Sequence, residues 1–169
     1  MSAGTNHLAK PLSVLLAAIM LCGLTACSND GLTADKLTVT LNGNAVTKPL
    51  TAEKLGDGYS VKNYLLYYND EPVAGVTFTE KTVEREENKR VLRSLVIGAN
   101  SGAENATLSV DGITLGSKMS EVLDTFGEPS LREAGKWFFS ENGKPENEDF
   151  LAVKFDDSNE VKWLYVRVE

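Results

Sequence analysis

The chain has 169 residues, with 24 acidic and 17 basic side chains and a formal net charge of −7 at neutral pH. That balance argues against nucleic acid or an anionic lipid surface as a partner, because both reward clustered Lys and Arg. The single histidine (His7) and both cysteines (Cys22, Cys27) lie in the first 27 residues, so the remainder has no Ser-His-Asp or Cys-His set and lacks the usual zinc ligands.

The N-terminal segment reads as an export signal in three parts. Met1–Lys10 is polar and positively charged, Leu12–Leu24 is apolar, and Thr25-Ala26 supplies small side chains. The apolar run falls short of the roughly 20 residues needed to span a bilayer. Ser28-Asn29-Asp30 would be costly to place in lipid. Leu24-Thr25-Ala26-Cys27 resembles the lipobox of bacterial lipoproteins. That resemblance implies cleavage between Ala26 and Cys27 and attachment of diacylglycerol to the Cys27 sulfur. Cys22 does not fit, because Met20-Leu21 beside it continue the apolar run. One acyl chain, at about 0.8 kcal/mol per buried methylene, holds a protein only marginally, whereas two or three anchor it stably. The expected location is extracytoplasmic: the cell membrane surface of a Gram-positive cell or, with Ser28 after the cysteine, the outer membrane of a Gram-negative one. Cleavage removes Lys10 and no acid, leaving 16 basic against 24 acidic side chains, a balance of −8.

Residues 27–36 read as a polar tether. Leu37, Val39 and Leu41 then alternate with polar residues as a half-buried strand does, and Asn42-Gly43 signals a hairpin. Thr51 to Gly56 suits a short helix capped by Thr51. Asn63–Tyr68 is a strand by its aromatic content, turned at Asn69-Asp70-Glu71-Pro72 and answered by Val73–Thr79. Glu84–Arg90 is a charge run expected in a solvated loop or hairpin tip. Val91–Ile97 is again strand-like.

In the second half, Asp111-Gly112 marks a turn, and Ser117 is placed to cap the clearest helix. Met119, Val122, Leu123 and Phe126 share one face, and Gly127 with Pro129 ends it. Three strands follow: Lys136–Ser140, Phe150–Phe155 and Val161–Val168. The last is apolar on both faces, which predicts a central position or a covered outer face. The expected fold is therefore α+β, mostly antiparallel sheet with one clear and one short helix. A signal (1–26), a tether (27–36), a mostly β segment (37–100) and a helix-plus-three-strand segment (101–169) complete the layout, with two similar small lobes as one option.

Gly112-Ile-Thr-Leu-Gly-Ser-Lys-Met-Ser-Glu-Val-Leu-Asp-Thr-Phe-Gly-Glu-Pro129 resembles a segment of small bacterial lipoproteins. It is similar to the SmpA/OmlA-like outer-membrane-assembly lipoproteins and to the repeat of β-lactamase-inhibitor proteins, and is nearest to lipoproteins of Gram-positive bacteria. Gly116, Ser117, Glu121, Val122, Leu123, Gly127 and Pro129 match in type and order. The resemblance covers roughly Ser101–Glu169 and implies a domain that binds other proteins through a sheet face or loops.

Among residues with chemical potential, Glu146, Glu148 and Asp149 could form the carboxyl pair of a glycosidase, although solvated turn chemistry is the plainer reading. Asp156–Glu160 lacks the spacing of a 12-residue calcium loop. Tyr64, Tyr67, Tyr68, Trp137, Trp163 and Tyr165 are candidates for a recognition face or for the core. The reading is a lipid-anchored cell-envelope binding module without enzymatic activity, cofactor or metal. Its partners are the membrane, through Cys27, and another envelope protein or polymer. A structural subunit of an outer-membrane assembly complex and a carboxylate-dependent cell-wall glycan hydrolase are the alternatives. Intact-mass analysis of the native protein is expected to find an N-terminus at Cys27 bearing diacylglycerol, and Cys27→Ser is expected to abolish both lipidation and membrane association.

Overall fold

The computed structural model describes residues 32–79, 86–104, 106–145 and 147–169. The signal segment with Cys22, Ala26 and Cys27, the first part of the 84–90 charge run, and Glu146 lie outside the described residues.

Strands β1 (Val39–Leu41) and β2 (Asn44–Ala45) form a hairpin about Asn42 and Gly43, whose φ angles of 50° and 78° match an Asn-Gly turn. Helix α1 (Ala52–Leu55) starts where the Thr51 hydroxyl accepts the Lys54 backbone N–H at 3.2 Å. Strands β3 (Tyr59–Lys62), β4 (Leu65–Tyr68), β5 (Glu71–Phe78) and β6 (Leu92–Gly98) follow as an antiparallel meander. Strand β7 (Leu108–Val110) returns to pair with β1, giving a three-stranded sheet ordered β2-β1-β7. Helix α2 (Met119–Phe126) leads to a second meander of β8 (Leu131–Glu133), β9 (Lys136–Ser140), β10 (Asp149–Phe155) and β11 (Val161–Arg167).

The two meanders join through β6 and β11, their last strands, into one eight-stranded sheet ordered β3-β4-β5-β6-β11-β10-β9-β8. The chain is α+β and mostly antiparallel sheet. It traverses a similar order of elements twice: the small sheet (β1 and β2, then β7), a helix, then a four-strand meander. Thr40 faces Ser109 and Val96 faces Tyr165, with partners 69 positions apart in both cases. Segments 37–100 and 101–169 thus share a single sheet.

Alternation along each strand sorts side chains onto two faces. One face carries Phe139, Leu151, Val166, Leu95 and Val76, paired across five neighbouring strands and all buried. Val122 and Phe126 of α2, Leu41 of β1 and Leu108 and Val110 of β7 belong to the same core, and the Phe126 and Phe139 rings lie 5.6 Å apart. β11, flanked by β6 and β10, has the central position that its two apolar faces predict.

Four local features depart from expectation. Asn63 and Tyr64 are turn residues, with φ of 54° and 61°, between β3 and β4. Tyr64 has no turn propensity, so its aromatic ring reads as strand. Where the sequence predicts three strands after α2, the structure adds a fourth, β8, which Ala134-Gly135 turns into β9. Ser117 does not cap α2: its hydroxyl accepts from Thr114 N, and the Glu121 carboxylate takes the Lys118 N–H at 2.7 Å. Within the expected tether, residues 32–36 are docked rather than free. Leu32 packs on the core and accepts a hydrogen bond from Asn142 N at 3.1 Å, and Ala34 is buried with its N–H on Glu141 Oε1 at 3.0 Å.

Leu164 on β11 is fully buried at the junction of the meanders. Leu164→Ala is expected to cost about 3 kcal/mol in urea denaturation, against less than about 0.5 kcal/mol for Leu131→Ala on the exposed edge strand.

Candidate functional site

The opposite face of the large sheet carries a different row. Register places Leu131, Phe138, Ala152, Tyr165, Val96, Gly75, Leu65 and Lys62 side by side across all eight strands. Over the first meander this row is closed by the loop after β6. A Cβ on Gly75 would meet the Ser101 carbonyl oxygen at 3.3 Å, and one on Gly102 would meet Leu65 at 3.1 Å, so glycine at these positions lets the loop lie close to the sheet. Over the second meander the face is open among the described residues. Phe138, Trp163 and Tyr165 are half-buried there, and Leu131 is 44% exposed.

The open part contains a cavity of about 240 Å³ lined by Phe138, Ala152, Trp163, Tyr165, Glu148 and Asp149. Ala152 gives it depth: a methyl group stands between Phe138 on β9 and Tyr165 on β11, and the aromatic neighbours rise above it. The Trp163 and Tyr165 rings, two residues apart on β11, are nearly parallel with centroids 6.4 Å apart. The Lys136 ammonium sits 4.4 Å from the Trp163 centroid, a cation–π contact.

At one end of this face lies a network of charges drawn from distant parts of the chain. Arg167 bridges Glu141 and Glu148, the latter through Nη1 to Oε2 at 2.9 Å. Arg93 bridges Glu148 and Glu169, the latter through Nε to Oε1 at 2.9 Å. Glu141 also receives Ala34 N, and Glu169 receives the Thr79 hydroxyl at 3.1 Å. Arg167 is only 11% exposed at its side chain, so these pairs feel less solvent screening than ordinary surface ion pairs. Asp149 accepts from Ser140 Oγ at 2.7 Å and joins no salt bridge among the described residues.

Burial pushes the Tyr165 phenol above its ordinary value of 10, and Asp149 adds to the rise. Arg93, Arg167 and the hydrogen bond with Ser94 work against it. The phenol therefore stays neutral and lends the cavity a polar edge without a charge.

The sequence-predicted residues separate into distinct places. Trp163 and Tyr165 come together on the open face. Trp137 faces the other way, edge-on to Phe155 at 4.8 Å. Tyr64 and Tyr68 are exposed on the first meander, with Tyr64 near Phe78 and Tyr68 against Tyr59. Glu148 has both carboxylate oxygens engaged by arginines, and Asp149 is held by Ser140, so the described part of the acidic loop presents no free carboxyl pair. Asp156 Oδ1 accepts the N–H groups of Ser158 and Glu160, a self-contained turn. No group of three or more His, Cys, Asp or Glu residues is arranged to hold a metal among the described residues, and none of their helices is long and apolar enough to cross a membrane. Phe138 and Ala152 carried no sequence signal as site residues; the alternation along β9 and β10 marks their face but not the partner strand that brings them together.

No known protein family, curated protein or solved structure matches this chain.

Ultraviolet titration of the wild type against Tyr165→Phe is expected to isolate one phenol ionising above pH 10. Because the fold favours its neutral form, the associated stability is complete below pH 10 and declines as pH rises through the raised value; Tyr165→Phe is expected to flatten that decline.

Proposed function

We propose that the protein is a lipid-anchored cell-envelope binding module that engages an envelope protein or polymer through the open face of its second meander. The observation that carries this reading is the half-buried aromatic row of Phe138, Trp163 and Tyr165, with Leu131 at its edge, on a sheet face left open among the described residues. Aromatic side chains offer large contact area at low entropic cost, and Trp and Tyr dominate interface energetics. The opposite face is filled by α2 and the small sheet, which leaves this one for a partner.

Lipidation at Cys27 gives this module a location. The docking of Leu32 and Ala34 on the body bears on how it is held. Cys27 and Leu32 are five peptide links apart, a reach of at most about 18 Å, so the body stays close to the bilayer and to the partners beside it. The engagement of Glu148 by Arg93 and Arg167 favours binding over carboxylate hydrolysis, because both of its oxygens already face arginines.

Affinity capture with the anchored protein from its own envelope, repeated with Trp163→Ala, tests the reading. Trp163 is half-exposed, so the variant is expected to fold, and recovery of a specific partner is expected to fall at least about tenfold, as truncation of an interfacial aromatic does. Equal recovery with wild type and variant sinks the assignment of this face.

A further inference from the structure

The 240 Å³ cavity on the open face is smaller than the roughly 300–1,000 Å³ that holds a drug-sized molecule. Its size suits one inserted side chain. Three aromatic rings, from Phe138, Trp163 and Tyr165, make its walls, Ala152 makes its floor, and Glu148 and Asp149 stand at its edge. From this combination we propose that the cavity receives the cationic side chain of a Lys or Arg presented by a basic partner segment. The assignment rests on the binding-module reading and names the chemistry of the partner.

Charge decides the sign of the occupant. Around this end of the sheet stand Asp35, Glu141, Glu148, Asp149 and Glu169, against Lys48, Arg93 and Arg167, with Lys136 and Lys154 in the row of Trp163. The lining of the cavity itself holds two carboxylates and no cation. Within it, Asp149 is the carboxylate at the cavity that no described cation pairs. An anionic group entering here would meet two carboxylates in a partly desolvated space, which is unfavourable. A cation gains from Asp149 and from the electron-rich ring faces together. The whole chain, at −7, draws a basic segment by the same sign.

The molecule contains its own precedent. Lys136 lies over the Trp163 ring, so the indole already accepts an ammonium group. Lys136 does not line the cavity, yet Lys154 and Lys136 share a cross-strand row with Trp163. Their positive charge opposes an incoming cation from that side, and this predicts a variant that binds better than the parent. Lys136→Gln removes an internal competitor for the ring and a repulsive charge.

The test follows the indole N–H signals of Trp137 and Trp163 by NMR in the mature protein while tetralysine, tetraglutamate or chitotetraose is added; Trp137, which faces the other way, is the internal control. Tetralysine is expected to shift Trp163 alone, saturating in the millimolar range suited to one or two side chains. Asp149→Asn is expected to weaken the response several-fold, Lys136→Gln to strengthen it about two- to fivefold, and Ala152→Leu to abolish it by filling the floor. If Ala152→Leu does not fold, the opposite directions at Asp149 and Lys136 carry the decision. Absence of a Trp163 shift with tetralysine overturns the proposal, as does a response to chitotetraose or tetraglutamate in its place. If affinity capture shows loss of a partner with Trp163→Ala while Asp149→Asn and Lys136→Gln leave capture unchanged, the cation pocket fails and the binding face stands.

Discussion

The pairing of β6 with β11 is the contact on which the rest of the structure depends. It is the strand pairing that joins the meander of residues 59–98 to the meander of residues 131–167, and it buries Leu95, Ile97, Leu164 and Val166 in adjacent rows. Neither meander has a closed core without the other, because the helices and small-sheet strands that cover them pack into one shared cluster. The small sheet repeats the arrangement, with β1 beside β7. Two long-range pairings, each bringing together residues 69 positions apart at its centre, hold the chain as one body. The contacts are non-local, so loop-closure entropy must be met before they reward folding.

That junction also creates the asymmetry that makes a site. A sheet covered on one side buries its apolar row there and leaves the other row to solvent, a loop or a partner. Here the loop after β6 lies over the first meander, and the second stays open. The aromatic pair that β11 presents on the open side is Trp163 and Tyr165, whereas the equivalent pair on β6, 69 positions earlier, is Ser94 and Val96. The repeated framework thus carries a concentrated aromatic surface in its second half. Ser94 and Thr77 instead hydrogen-bond each other at 2.6 Å and satisfy themselves locally.

The charge network at the end of the open face ties segments remote in the chain to one spot. Glu141 links the docked Ala34 to Arg167, and Glu169 links Arg93 to Thr79. These groups hold the start of the described chain against the body and fix the cavity edge through Glu148. Removing one partner from such a partly buried set leaves charge uncompensated, which costs more than the pair itself contributes. The network therefore ties Glu141 and Glu148, on either side of the β9–β10 loop, to β6 and β11.

Several features were legible in the residues alone, because their causes are local. The Asn42-Gly43 hairpin, the Thr51 cap, the apolar face of α2 and the central place of β11 follow from turn chemistry and periodicity. Local rules also misled where a residue served a distant need: Tyr64 in a turn, Ser117 bonded to Thr114, and Ala34 drawn under Glu141. Sequence by itself determined the α+β class, the absence of histidine and cysteine beyond residue 27, and the acidic charge, since each is a property of composition or of neighbours a few positions apart. Tertiary structure alone decided which strands are neighbours, that two segments share one sheet, and that Phe138, Ala152, Trp163 and Tyr165 enclose a cavity. Strand alternation specifies a face, but only the register between strands far apart in the chain determines which faces meet.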